Sequence, residues 1–184
     1  MNSHLPIFPL NIFILPGGVT RLRIFEQRYI RMVSETINNT GFVISQPITN
    51  LNSIFGCLVK IIDFDQEPDG LLMITVEGLN LVEISNISYE SDGLAKADID
   101  KINTITVANQ YQNTKLLGDK LIEIFNENSV LTQLYPCPLF DDPQWVCSRW
   151  LELLPFKLHE KIQIIKSNTP NELVQTLHSV IIDN

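Results

Sequence analysis

Three polar side chains with different chemistry lie within four residues of one another near the start of the chain. Glu26, Arg28 and Tyr29 supply a carboxylate, a guanidinium and a phenol. Such groups could orient a bound peptide, because hydrogen bonds made by charged side chains are strong and directional. A structural interpretation competes with this one: Arg28 pairs with Glu26 or caps a strand, as many surface arginines do. The structural interpretation is favoured, and both remain open at the level of the sequence.

A second candidate is an apolar loop formed by Ile12, Phe13, Ile14 and Leu15. A loop of this composition either folds over a core or offers surface to another chain, since contiguous exposed apolar patches commonly mark interaction sites. We predict that this loop, together with a groove between the two halves of the chain, binds exposed hydrophobic segments of unfolded protein.

Trp145 is the last candidate binding residue. It lies five residues before Trp150, so the two rings point about 140° apart on a helix. Trp150 shares an apolar stripe with Val146 and Leu153, which predicts a core position for it. For Trp145, core packing is the favoured interpretation, and a place against the N-terminal half or in the groove is the alternative.

No pattern in the sequence indicates catalysis, a cofactor or a metal site. Asp63, Asp65, Glu67 and Asp69 alternate across a strand end and a turn, which favours a solvated hairpin tip over paired catalytic carboxylates or a calcium site. A G-x-S-x-G motif and a phosphate-binding loop are both absent from the sequence. The three cysteines and three histidines are widely spaced and form no C-x-x-C or His-rich metal motif.

The elements that must position these residues change character along the chain. The first hundred or so residues read mainly as strands, which we predict at Leu5–Leu10, Val19–Phe25, Gly41–Gln46, Ile54–Asp65, Leu71–Glu77, Leu79–Glu90 and Leu94–Asp100. The letters EPDG at 67–70 predict a tight turn between two of them, because proline presets φ and glycine accepts positive φ. Gly78 predicts a bulge or sharp bend.

Helical periodicity appears once within this β region and then dominates the C-terminal part. A short helix is predicted by the helical spacing of Tyr29 or Ile30, Val33 and Ile37. From about Tyr111 apolar stripes predict a small bundle of helices, with a proline-rich connector at 135–143. Asp142 before a proline predicts one helix start, and the capping-box spacing that begins at Thr169 predicts another.

Composition and charge narrow the class of protein. With 45% apolar residues, 18% charged residues and a net charge of −8, the chain is typical of a globular protein that repels phosphate-rich partners on average. The number and spacing of the three cysteines indicate no complete disulfide framework, which favours a reducing compartment, so we predict a cytoplasmic protein. The apolar opening at 5–18 contains three prolines and no early basic residue, which favours folded structure over a secretory signal.

Three segments, in order, resemble the Lon protease N-terminal domain family. The first is LPIFPLNIFILPGGVTRLRIFEQRYIRMV, the second FGCLVKIIDFDQEPDGLLMITVEGLNLVEI, and the third FDDPQWVCSRWLELLPFKLHEKIQIIK. The family's L-P-L-F-P-L, P-G, F-E-x-R-Y, P-D-G and L-x-L-L-P patterns have counterparts in these segments, which together cover almost the whole chain.

The resemblance implies an α+β fold: a PUA-like β-barrel subdomain with one short helix at 1–106, followed by a helical bundle subdomain at 107–184. It implies a non-enzymatic module that recognises polypeptides, with unfolded or hydrophobic segments as partners and a protease or chaperone as a further partner. Two alternatives stay open. One is an RNA-binding module, since PUA-like barrels occur in RNA-modifying proteins, although the charge disfavours it. The other is a structural subunit of a larger complex.

Overall fold

A computed structural model describes residues 3–38, 41–47, 54–103, 106–107, 114–167 and 169–183. The contacts divide the chain into two compact units, Met1–Asn103 and Thr104–Asn184. Within the described residues the first unit contains six strands and one helix, and the second contains five helices. This arrangement confirms the predicted α+β class. None of the described helices is long and apolar enough to cross a membrane.

The strands of the first unit form one mixed sheet. They are β1 Ser3–Pro9, β2 Val19–Ile24, β3 Phe42–Ser45, β4 Ile54–Gln66, β5 Leu72–Tyr89 and β6 Ala95–Lys101. The order is β2-β5-β4-β3-β1-β6, and β5 also pairs with β6. That extra pairing closes β1, β3, β4, β5 and β6 into a ring, and β2 lies outside the ring against β5. Only the β1–β3 pair is parallel among the described pairings.

The turn predicted at 67–70 joins β4 to β5. Gly70 N donates to Glu67 O at 2.8 Å, and Gly70 has a φ of +85°, a conformation that glycine adopts without strain. Asp69 accepts a hydrogen bond from Leu71 N at 3.1 Å through its side chain, as its type predicts for a turn. The hairpin therefore has the local cause that its sequence indicates.

Gly78 lies inside one long strand, whereas the sequence predicts two strands that meet there. β5 runs through it without a break, but the register with β4 shifts: Leu58 pairs with Asn80 and Val59 pairs with Gly78, which leaves Leu79 as an extra residue. The predicted bulge at this glycine is thus confirmed. The two predicted strands merge because a bulge bends a strand without ending it.

Alternate residues of the sheet face two separate apolar clusters. One cluster contains Val43 with side chains of β1, β5 and β6. The neighbours of Val43 on β3, Phe42 and Ile44, point to the other face and join a cluster that includes side chains of α1. Helix α1, Gln27–Thr36, buries Tyr29 and Val33 as predicted and leaves Ile30 at the surface. The helix therefore covers one face of the sheet.

The second unit is built from five short helices. They are α2 Thr114–Glu127, α3 Ser129–Leu134, α4 Pro143–Leu153, α5 Leu158–Ser167 and α6 Pro170–Ile181. Both predicted helix starts are confirmed: the Asp142 carboxylate accepts from Trp145 N at 3.1 Å, and Thr169 and Glu172 form a reciprocal capping box. Trp150 is buried, as predicted, and its Nε1 donates to Leu117 O at 3.0 Å.

Candidate functional site

The polar cluster predicted from the sequence lies at the start of α1. Glu26 is the N-cap residue of the helix, and its carboxylate pairs with Arg28 at 2.7 Å. Arg28 also donates to Gly93 O at 3.0 Å, and its guanidinium lies 4.7 Å from the centre of the Tyr29 ring. Tyr29 is buried, and that burial raises the pKa of its phenol, with Arg28 acting in the opposite direction. The three residues therefore meet as the sequence indicates, and Arg28 joins α1 to the turn that precedes β6.

The next turn of α1 extends this cluster. Arg31 forms ion pairs with Glu35, Glu90 and Asp92, and Lys96 reaches Glu90 at 2.7 Å. These bonds raise the pKa of Arg31 and lower the pKa values of Glu90 and Asp92, the main causes being hydrogen bonds from Arg31 to Asp92 and from Lys96 to Glu90. Each carboxylate is already held by a cation, so the cluster is poorly suited to act as a general base.

An open cleft of about 680 Å³ lies over these charged groups. Its lining residues are Glu26, Gln27, Arg28, Arg31 and Asp92. Both signs of charge line the cleft, and both are engaged in ion pairs within the unit. These ion pairs hold α1 against the loop at 90–93.

The charged cluster makes the stability of the first unit pH-dependent. The pKa values of Glu90 and Asp92 are lower in the folded protein than the ordinary carboxyl values of about 4. The unfolded chain therefore binds more protons than the folded one as the pH falls, and the stabilisation present at neutral pH is lost below about pH 4. We expect Arg31→Gln to weaken this dependence, measured as the change in urea midpoint between about pH 6 and pH 3. An equal change in urea midpoint for the variant and the wild type would contradict the assignment of this pH dependence to the charged cluster.

The apolar loop at Ile12–Leu15 lies over the same face of the sheet as α1. Ile14 and Leu15 are both buried. Ile14 belongs to the cluster that α1 joins, and Ile12 packs on that cluster while remaining half-buried. Phe13 is also half-buried. The loop therefore does both things that its composition allows: two side chains enter the core, and Ile12 and Phe13 keep part of their surface available.

Close packing on Gly78 holds the end of this loop. Gly17 N donates to Gly78 O at 2.9 Å, and Gly78 N donates to Gly18 O at 2.8 Å. The carbonyl of Leu15 occupies the space where a side chain on Gly78 would begin. The bulge glycine that the sequence singles out thus permits the loop to approach the sheet backbone.

Trp145 lies in the helical unit and is 7% exposed. Its ring packs at 5.6 to 5.9 Å from the rings of Tyr135, Phe140 and Phe125, and the Arg149 guanidinium lies 5.4 Å from its centre. This is the core packing favoured for Trp145. Its small exposed area, like that of Ile14, Leu15 and Tyr29, leaves little side chain to contact a ligand.

Large exposed apolar side chains near the β4–β5 hairpin were not predicted as binding residues from the sequence. Phe64 and Ile62 lie on β4, and Phe25 directly follows β2; their exposed fractions are 63%, 47% and 67%. Phe64 and Leu72 also line a second cavity of about 360 Å³. The run of apolar letters within the predicted hairpin could have indicated these side chains. They are exposed because the hairpin extends past β3, which pairs with only Gly56–Val59 of β4.

The acidic residues of the hairpin behave as predicted for a solvated tip. Asp63, Asp65 and Asp69 are exposed, and Asp69 pairs with Arg23. Among the described residues no group of three or more His, Cys, Asp and Glu side chains could hold a metal ion.

The fold of this chain is similar to the folds of two solved Lon N-terminal domains. The structure is similar to that of a Lon N-terminal domain protein from Xanthomonas campestris, with a TM-score of 0.72 and 23% identity over 96% of this chain and 98% of that one. It is also similar to the N-terminal domain of the Lon protease of Mycobacterium avium complex, with a TM-score of 0.68 and 12% identity over 99% and 100% of the two chains.

The family model for the substrate-binding domain of ATP-dependent protease La (LON) matches residues 4–182. The chain therefore belongs to the LON substrate-binding domain family, and it is a substrate-binding module of that type. No curated protein matches it by sequence. The family assignment confirms the resemblance found in the three sequence segments.

Proposed function

We propose that this protein is a non-enzymatic module that binds unfolded or hydrophobic polypeptide segments and serves as an adaptor or regulator of proteolysis. The observation that carries the proposal is the match of residues 4–182 to a substrate-binding domain whose family acts with an ATP-dependent protease. The natural setting of this activity is the cytoplasm. A protease or a chaperone is the partner that would receive the bound chain.

The surface of the first unit supports this proposal. Ile12 and Phe13 remain half-buried, and Phe25 and Phe64 are mostly exposed, so apolar area is available for contact with an apolar segment. Glu26 and Arg28 offer hydrogen-bonding groups at the rim of the charged cleft for the polar backbone of such a segment.

The direct test is binding of a fluorescent, permanently unfolded protein to the purified chain. Reduced and carboxymethylated α-lactalbumin is a suitable probe, and the native protein and single-stranded RNA serve as competitors. The proposal expects the unlabelled unfolded protein to compete, the native protein and RNA to fail, and the probe to remain uncleaved. Competition by RNA alone would assign the protein to the nucleic-acid-binding alternative instead.

Phe13 provides a site-specific prediction. Phe13→Asp replaces an apolar contact with a charge, and burying a phenylalanine is worth about 1.5–3 kcal/mol. We expect the affinity for the unfolded probe to fall by about tenfold or more, since 1.4 kcal/mol corresponds to a factor of ten. The control is Val130→Asp, which places the same charge on an exposed position of α3 in the other unit. Undiminished binding by a folded Phe13→Asp variant would remove the loop from the proposal.

A further inference from the structure

The hairpin formed by β4 and β5 carries β2 on one side, and this three-stranded part of the sheet has two outer edges. β2 pairs only with β5 among the described strands. On the other side, β3 pairs with β4 only up to Val59, so Lys60–Gln66 also lack a second strand neighbour in the described part of the chain. The outer edge of a strand presents backbone N–H and C=O groups that can pair with another chain.

Near the turn, the edge of β4 is blocked by its own side chains. Glu67 N donates to Leu71 O at 2.9 Å, so Glu67 and Leu71 are a hydrogen-bonded pair. Because hydrogen-bonded and non-hydrogen-bonded pairs alternate along antiparallel strands, the N–H groups of Phe64 and Gln66 point away from β5. These N–H groups donate to the preceding carboxylates, those of Asp63 at 2.9 Å and Asp65 at 2.7 Å. The outward donors at the hairpin end of this edge, Phe64 and Gln66, are therefore already used, and the charge there is negative.

The edge of β2 has the opposite character. By the same alternation, Leu72, Ile74 and Val76 of β5 are the residues that bond to β2, in register with Ile24, Leu22 and Thr20. The bond from Gly78 N to Gly18 O continues this alternation.

The backbone N–H and C=O groups of Arg21 and Arg23 consequently face outward from β2. No hydrogen bond joins these backbone groups to another element in the described residues. The outward groups of these two residues lie about 7 Å apart, two residues along a strand, which is the repeat that any extended chain offers.

We propose that the β2 edge, at Arg21–Arg23, binds an extended segment of the client polypeptide as an added strand, and that it favours segments with acidic side chains. This proposal rests on the proposed function and locates its binding site. Arg23 is occupied by Glu67 at 3.1 Å and by Asp69. Arg21 is exposed and has no ion-pair partner among the described residues, so it provides a positive charge beside the edge in a protein of net charge −8.

The chemistry of the edge matches a polypeptide as the occupant. Backbone pairing supplies affinity without sequence preference, and side chains next to the edge supply the preference. Phe25, 67% exposed, directly follows the strand and offers apolar area at its end. An extended client that carries an acidic residue and an apolar residue satisfies all three features of this edge.

The test uses a proline on each edge of the hairpin. Arg21→Pro removes an outward N–H and leaves the β2–β5 hydrogen bonds intact, because proline is tolerated on an edge strand where its nitrogen faces solvent. Gln66→Pro is the matched control, since the Gln66 N–H also faces outward but is already bonded to Asp65. With labelled carboxymethylated α-lactalbumin as the probe, we expect Arg21→Pro to weaken binding by about tenfold or more and Gln66→Pro to leave it unchanged.

The charge preference is tested separately with two peptides of alternating threonine and valine, one with a central glutamate and one with a central lysine. The glutamate peptide should bind more tightly, and Arg21→Ala or added salt should remove the difference. N-methylation of every backbone nitrogen of the glutamate peptide, which removes the N–H donors of both its edges, should abolish binding to the wild-type protein. This last measurement needs no variant, so it remains decisive if Arg21→Pro fails to fold.

The outcomes separate this proposal from the function on which it rests. If the wild type binds the unfolded protein and neither Arg21→Pro nor N-methylation affects binding, the edge proposal is overturned and the proposed function stands. If the wild type binds no unfolded protein or peptide, both fall. If Arg21→Pro instead abolishes a concentration-dependent dimer seen by gel filtration, the edge belongs to a second copy of the chain and the client proposal is overturned.

Discussion

Replacing Gly78 with alanine is expected to destabilise the first unit by about 2–3 kcal/mol, near the upper end of the usual cost of overpacking. The added Cβ would clash with the Leu15 carbonyl oxygen and would lie 3.1 Å from Cys57 Sγ. A backbone carbonyl cannot rotate away as a flexible side chain can. The loop that carries it is hydrogen-bonded to both the N–H and the C=O of Gly78. The loop or the strand must therefore shift.

Far-UV circular dichroism in a urea series measures this loss, and fluorescence in the same samples shows where it acts. Trp145 and Trp150, the two tryptophans of the chain, both lie in α4 of the helical unit, so fluorescence reports on that unit. The control is Gly70→Asn: Gly70 has a φ of +85° with only Gln66 Nε2 within 4 Å, and asparagine tolerates this backbone conformation. A Gly78→Ala variant with an unchanged dichroism midpoint would show that the loop does not depend on this contact.

Replacing Glu152 with glutamine is expected to destabilise the helical unit by about 3–5 kcal/mol, the usual cost of removing one partner from a buried ion pair. Arg149 is only 2% exposed, and its Nε and Nη2 donate to the Glu152 carboxylate at 2.7 and 2.9 Å. Lys161 is 6% exposed and donates to the Glu152 carbonyl at 3.0 Å. Burial lowers the pKa of Lys161, and the charge of Glu152 opposes that change. The glutamine would leave two buried cations without this carboxylate.

Urea unfolding followed by tryptophan fluorescence measures the effect, because the reporters share α4 with Arg149 and Glu152. Glu123→Gln is the matched control, since Glu123 forms an exposed pair with Lys120 and such pairs contribute about 0.2–1 kcal/mol. The double variant Arg149→Met with Glu152→Leu should recover much of the loss, because the buried Arg149 charge is then removed together with the carboxylate that pairs with it. A cost below about 1 kcal/mol for Glu152→Gln would show that the buried cations do not depend on this carboxylate.

Features with a local cause were predictable from the sequence. The turn at 67–70, the cap at Asp142 and the capping box at Thr169 each depend on residues within four positions of one another, and each appears in the structure. Helix α3 was missed although it also has a local cap: Asn128 accepts from Val130 N and Leu131 N. This helix has six residues and buries none of them, so it produces no apolar stripe that periodicity could detect.

Features that depend on register between distant segments were not predictable in the same way. The residue types at Glu26, Arg28 and Tyr29 pointed to a polar cluster, but the bond from Arg28 to Gly93 joins positions 65 apart in the chain. The ion pairs of Arg31 with Glu90 and Asp92 are of the same kind. For the apolar loop, composition alone could not decide which side chains enter the core, since that depends on the approach to Gly78.

The closed ring has a consequence for how the protein is made. β1 and β6 close it, and their register pairs Ser3 with Ile99 and Ile7 with Ala95. During synthesis the first strand must therefore wait for about a hundred further residues, which takes roughly 5–20 s at ordinary rates of translation. Throughout that interval one side of β1 has no partner. The sheet of this substrate-binding domain is thus incomplete until β6 has been made.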